Sequence, residues 1–159
     1  MNEIPAGFAP LQNHNAHSFI AHIGPFYERR ENDSPCVGVR IAAQHCNPFG
    51  EVHGGFVAAM FDFVGAYTML RGPDPTPSVV TVQQTTQLIA GARLGNWIEG
   101  RATIHRKGRT IAHVGCDLKT GGQLIAHAEF VFRVLSGEGT AARIARRAAL
   151  NPGATGDAA

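Results

Sequence analysis

Residues 54–70 read Gly-Gly-Phe-Val-Ala-Ala-Met-Phe-Asp-Phe-Val-Gly-Ala-Tyr-Thr-Met-Leu, and this run decides the fold. Phe56, Ala59, Met60, Phe63, Val64 and Tyr67 recur at three- and four-residue steps, with small residues filling much of the remainder. That spacing predicts one long helix. The helix is apolar almost all round, so most of its faces must be buried. The segment Arg71-Gly72-Pro73-Asp74-Pro75-Thr76-Pro77 then stops it, since proline cannot continue a helix.

Upstream, Cys36 to Ala43 alternates Val37, Val39 and Ile41 with Gly38, Arg40 and Ala42, the pattern of a strand with one buried face. Asn47-Pro48-Phe49-Gly50 carries turn chemistry. Asn13 to Ile23 could form a short helix from an Asn cap. Downstream, Val79–Ile89, Asn96–His105, Thr110–Leu118 and Leu124–Leu135 are rich in β-branched and aromatic residues. They read as four strands. The breaks at Lys107-Gly108-Arg109 and Thr120-Gly121-Gly122 are short enough for hairpins, predicting an antiparallel meander. From Ser136 the chain turns Ala-, Gly- and Arg-rich, at most a short basic helix and a loose tail.

One apolar helix on the concave face of one curved antiparallel sheet satisfies this order as an α+β fold. The predicted organisation is a single domain with an N-terminal segment over residues 1–35, a core over 36–135 and a tail over 136–159. An open sheet leaves edge strands to be paired, so a dimer with a continuous sheet is expected.

At 159 residues, 44% hydrophobic and 16% charged, the chain has material for a core and is not a disordered polymer. A net charge of +2 is far from the basic excess that a phosphate backbone demands, so nucleic acid is not an expected partner. No apolar stretch approaches the roughly 18 residues that cross a bilayer, and MNEIPAGFAP lacks a signal pattern, which predicts a cytoplasmic protein with no membrane partner. Cys36, Cys46 and Cys116 are odd in number and widely spaced, and read as buried free thiols. His45 beside Cys46 reads as two adjacent strand residues facing opposite ways.

The eight histidines form no HExxH or close ligand cluster, so no metal is expected, and His105, His113 and His127 read as half-exposed strand residues. Gly50 to Gly55 has the glycine spacing of a P-loop, but Phe56-Val57 stands where Lys and Ser/Thr would meet phosphate and magnesium. GxGxxG after a strand and Gly-x-Ser-x-Gly are both absent.

The chemistry concentrates in residues 47–62. Gly54 and Gly55 occupy the first helical turn, where unpaired N–H groups and the positive end of the macrodipole favour a developing negative charge. Asp62 is the lone acid on the helix, flanked by Phe61 and Phe63, where a carboxylate needs compensation or a function. It lies seven residues past Gly55, on the same face but about 10 Å further along. A two-fold dimer could set the helix start of one chain beside Asp62 of the other.

The NPFGEVHGG core with Asp62, the proline-rich break and the Ala92-Arg93-Leu94-Gly95 turn resemble the hotdog-fold acyl-CoA thioesterases, specifically the phenylacetate-pathway (PaaI-like) branch, over about Cys36 to Val134. The resemblance implies a helix wrapped by an antiparallel sheet, a homodimer or homotetramer with active sites between subunits, and hydrolysis of the thioester of an acyl-CoA. By position, Gly54 or Gly55 would polarise the carbonyl, Gly54 being the direct match. Asp62 would act as general base or nucleophile, Asn47 would bond the water or thioester, His53 would orient the carbonyl, and Thr81 would help hold the water.

Physically, Asp62, the Gly54-Gly55 amides and a dry pocket from Phe49, Phe56 and Phe63 could supply base, oxyanion stabiliser and water exclusion for an aryl or medium-chain acyl group. No cofactor is implied, coenzyme A being part of the substrate. The Arg106, Lys107 and Arg109 turn is a candidate for the CoA phosphates, or else a solvated hairpin tip. Two other readings stay open, a noncatalytic acyl-CoA sensor and a hotdog dehydratase or hydratase. The Arg143, Arg146 and Arg147 tail keeps the question of a DNA-binding sensor open.

Overall fold

In the computed structural model the described residues are 3–11, 18–135, 137, 142 and 145. Residues 13–17 of the predicted first helix and almost all of the tail, including its arginines, lie outside them. Helix α1 runs Phe19–His22 and is capped by Ser18, whose side chain accepts from Ala21 N–H, so the helix starts later than the Asn13 cap predicted.

Helix α2, Gly54–Arg71, is the predicted long helix. Phe56, Val57, Met60, Phe61, Val64 and Met69 are buried against a single sheet. Ala59, Asp62, Phe63 and Ala66 are only half-buried, so one side of the apolar helix is left partly open. The helix and sheet touch at Gly100, where an added Cβ would come within 2.8 Å of Val64 Cγ2 and of Leu118 Cδ2. Gly100→Val is therefore expected to force the layers apart and destabilise by about 1–3 kcal/mol, read as a drop in Tm. An unchanged Tm would show that this contact yields freely.

The sheet has seven antiparallel strands: β1 Ala9–Pro10, β2 Phe26–Glu31, β3 Ser34–Arg40, β4 Ser78–Leu88, β5 Trp97–Lys107, β6 Ile111–Thr120 and β7 Gln123–Leu135. Their spatial order is β1-β2-β3-β5-β6-β7-β4. Only β5, β6 and β7 form the meander; β4 crosses over to pair with β7. Strands β1 and β2 are additions to the predicted set. A tight turn at Asn32 and Asp33, φ +48° and +62°, joins β2 to β3, as a two-residue hairpin requires.

Strand β3 departs from its one-faced expectation. Val37 and Val39 face α2, but Cys36 and Gly38 are buried too. Trp97 lies so close over Gly38 that a Cβ would stand 2.2 Å from Cζ2, with the Phe8 ring also near, while Cys36 lies beside Glu99, whose Oε2 accepts from its thiol at 3.7 Å. Nor are His45 and Cys46 strand residues: Ala43–His45 is a turn of 3-10 helix, closed by Cys46, which is half-buried rather than buried.

Strand β4 forms one end of the sheet: ten of its eleven residues pair with β7, all but Val82, and no described residue pairs with its other edge. Its register slips between Thr81 and Gln83. Strict alternation would turn Thr81 and Gln84 to opposite faces. The bulge at Val82 brings both onto α2, where Gln84 Nε2 donates to the Ala58 carbonyl at 3.0 Å. Val82 itself projects outward, 61% exposed, beside exposed Val80.

Candidate active site

The loop ahead of α2 is fixed by its own side chains. Asn47 Oδ1 accepts from Phe49 N–H at 2.9 Å and Glu51 N–H at 3.2 Å, while Asn47 N–H donates to the Glu51 carbonyl at 2.7 Å. These bonds close the predicted turn, with Gly50 at φ +78° in the left-handed region. They also engage the Asn47 oxygen, so its NH2 group is what remains to donate outward.

His53 is the N-cap of α2, and its Nδ1 accepts from Gly55 N–H at 2.9 Å. That bond places the ring proton on Nε2, making the exposed end of His53 a donor. It also separates the two glycines. The Gly55 amide is engaged by the cap, and a Cβ on Gly55 would sit 3.0 Å from His53 Nδ1. Gly54 N–H has no acceptor among the described residues, and of the pair it is the amide available to a ligand.

Gly54 borders a cleft of about 270 Å³ lined by Glu51, Val52, Val57, Leu88, Ile89, Ala90, Gly91, Ala92 and Ile125. The lining is aliphatic apart from Glu51. The expected Phe49, Phe56 and Phe63 pocket does not form in one chain. Phe49 is 88% exposed on its turn, Phe56 is buried against His45, and Phe63 packs on Phe26. Leu88 stands beside Gly54 only through a long-range strand return that no local pattern marks, whereas Glu51 lies within the NPFGEVHGG segment and has no role assigned from sequence.

Asp62 is half-buried on the α2 face turned to β4, and the Thr81 hydroxyl donates to its Oδ1 at 2.6 Å. Oδ2 receives no donor among the described residues. Gly54, Ala58 and Asp62 step along one face at four-residue intervals, opposite Leu88, Gln84 and Thr81 respectively. The structure thus brings Asp62 to Thr81, and His53 with Asn47 to Gly54. It does not bring these two groups to one point, since eight helical residues separate Gly54 from Asp62 by about 12 Å.

The basic turn stands elsewhere. Lys107 Nζ pairs with Asp74 Oδ1 at 2.7 Å, just beyond the C-terminal end of α2, while Arg106 and Arg109 are exposed. That is the opposite end of the helix from Gly54. Cys36 and Cys116 offer no nucleophile, since burial pushes Cys36 up to about 11 and raises Cys116 as well. On the outer face of the sheet His127 lies between Asp117 and Glu129, and its pKa is raised chiefly by the Asp117 hydrogen bond. Among the described residues no group of three or more His, Cys, Asp or Glu is placed to hold a metal ion.

Comparison with known proteins points one way. The family model of the thioesterase superfamily matches residues 49–126. A Pseudomonas aeruginosa protein named as a putative esterase is 30% identical over 135 residues, covering 84% of this chain and 99% of that protein. Acyl-coenzyme A thioesterase 13 of Mus musculus is 31% identical over 90 residues, 55% of this chain and 64% of that one. Among solved structures, a phenylacetic acid degradation-related protein of Ralstonia eutropha superposes with TM-score 0.65 at 26% identity, covering 72% of this chain and 88% of its own. A Streptococcus mutans protein bound to acetyl CoA does so with TM-score 0.68 at 20% identity, covering 79% and 99%.

Proposed function

The chain belongs to the thioesterase superfamily, with the hotdog fold, and from that premise we propose that it hydrolyses an aryl- or medium-chain acyl-CoA of the kind handled by the phenylacetate-pathway branch, acting in the cytoplasm as a homodimer or homotetramer. The observation that carries the reading is Asp62, held by Thr81 on the helix face that turns toward the open edge of β4. An eleven-residue open edge invites antiparallel pairing with a second copy. A two-fold axis near the middle of β4 sets the Thr81 end of one strand beside the Leu88 end of the other, and so Asp62 beside the partner's Gly54.

In that shared cleft the unengaged Asp62 oxygen takes a proton from water, and the water oxygen bonds to the thioester carbon. The negative charge that develops on the carbonyl oxygen meets the partner's Gly54 N–H, supported by the helix dipole, by Nε2–H of the partner's His53 and by the NH2 group of the partner's Asn47. Collapse breaks the C–S bond, the Asp62 proton passes to the leaving sulfur, and free acid and CoA result. Attack by Asp62 itself, giving an anhydride that water then opens, uses the same groups. Aliphatic cleft residues exclude bulk water from the carbonyl.

The test is thiol release from a panel of aryl-, medium- and short-chain acyl-CoAs with a chelator present. Free CoA from at least one member is expected. Tight binding with no release from any would favour the sensor, and water addition to an enoyl-CoA would favour the hydratase.

A further inference from the structure

We propose that His45 is a positioning residue, holding the Asn47 loop and the Gly54 amide in working geometry through its neutral Nδ1-acceptor form. The proposal rests on the hydrolytic reading only for its kinetic consequence. His45 is 1% exposed and touches both ends of the loop. On the incoming side, Ala42 N–H donates to His45 Nδ1 at 3.1 Å and His45 N–H donates to the Ala42 carbonyl at 3.0 Å, a reciprocal pair that closes the 3-10 turn. On the outgoing side, His53 N–H donates to the His45 carbonyl at 2.9 Å. The ring stacks on Phe56 in the first turn of α2, centroids 4.2 Å apart and planes at 21°. One residue therefore ties the strand that precedes the loop to the cap that aims Gly54.

This arrangement depends on protonation. With Nδ1 accepting, the proton sits on Nε2, which is buried and has no partner in close hydrogen-bond geometry among the described residues, the Ile23 carbonyl acting on the ring only weakly. A second proton could go only to Nδ1, and would expel Ala42 N–H from the turn. Around the ring stand Ala42 N–H from the turn, the Ile23 carbonyl from the end of α1, and Phe56 from α2. Among the described residues no acidic or basic side chain acts on it. Burial lowers the His45 pKa from its ordinary value, against a smaller opposing pull from the Ile23 carbonyl. The stabilisation that neutral His45 gives the loop is complete above about 6.5 and is lost as the pH falls through the lowered value.

Two variants separate ring from acceptor. His45→Phe keeps the stack and removes Nδ1, and should lower kcat about 10- to 100-fold with little change in KM. His45→Asn keeps an acceptor near the Nδ1 position, and should retain more of kcat than His45→Phe while shifting the acid limb of the kcat profile to lower pH. Amide hydrogen exchange read by NMR gives the readout that needs no turnover. The protection factors of the Ala42 and His53 amides, that is exchange corrected for its intrinsic pH dependence, should be lower in His45→Phe than in wild type at pH 7, and in wild type should fall as the pH is lowered from 7 into the acid range. Should His45→Phe not fold, His45→Asn and the wild-type acid titration carry the test.

If no acyl-CoA is hydrolysed by wild type but the two amides respond as stated, the positioning role stands and the thioesterase reading falls. Wild-type kcat in folded His45→Phe, or unchanged protection at both amides in the variant and in acid, overturns the proposal.

Discussion

Asp62→Asn is expected to lower kcat for acyl-CoA hydrolysis by about 100-fold or more, while leaving Tm close to wild type. The expectation follows from which oxygen does what. Oδ1 accepts the Thr81 hydroxyl at 2.6 Å, and the amide oxygen of an asparagine can accept the same proton, so the structural contact survives. Oδ2 receives no donor among the described residues, and Asp62 is only half-buried. An amide nitrogen there can neither take a proton from water nor attack a carbonyl, so both mechanisms open to Asp62 stop together. Thiol-release kinetics with a thermal melt check it. Wild-type turnover by the folded variant would remove Asp62 from the chemistry.

A single turnover in 18O-water detects the nucleophilic route when label enters Asp62, while an unlabelled Asp62 fits either a general base or an anhydride opened at the substrate's acyl carbon. A general base leaves Asp62 unlabelled, whereas a nucleophile gains 18O in its carboxylate when the anhydride is opened at the acyl carbon of the side chain.

The parts of this molecule that were legible in its sequence are those with local causes. Helix α2 carries its own periodicity and proline stop, and its observed span differs from the predicted one by a single residue. The β5–β6 and β6–β7 hairpins are announced by glycines at their turns. Strand β2 was not legible, because Phe26–Glu31 holds four charged residues and no alternation. What makes it a strand is remote: Phe26 against Phe63, Tyr27 against Trp97, and the Tyr67 hydroxyl donating to Glu28 at 2.8 Å.

The candidate site divides the same way. An acid on an apolar helix and paired glycines at its start are chemical oddities within a few residues, and could be noticed without coordinates. Which strand residue meets Asp62 depends on a bulge at Val82 that no local pattern marks, and only the family resemblance singled out Thr81. Which glycine offers its amide depends on a ring nitrogen of His53. The Lys107 cation, attractive as part of a basic turn, is committed to Asp74, a partner 33 positions away.

Gly54→Pro is expected to lower kcat about 100- to 1,000-fold without unfolding the protein, the cost of deleting one oxyanion donor. The substitution is available because of where Gly54 sits. It is the first residue of α2, the position at which a missing N–H breaks no helical bond and proline is favoured. His53 before it has φ −69° and ψ 133°, already in the extended region that a residue preceding proline prefers.

Gly54→Ala is the control. It introduces the same Cβ, 3.1 Å from the flexible end of Leu88, but keeps the N–H, and should retain most of the wild-type kcat. Equal losses in the two variants would assign the effect to crowding and withdraw Gly54 as a donor.

The same variant tests whether the site spans two chains. Mixing Gly54→Pro with Asp62→Asn after joint refolding gives, on random pairing, hybrids in half the dimers. Each hybrid holds one site with both defects and one with neither, so the mixture should recover about a quarter of wild-type activity from two nearly inactive proteins. A site built within one chain would recover nothing, because every chain in the mixture carries one of the defects.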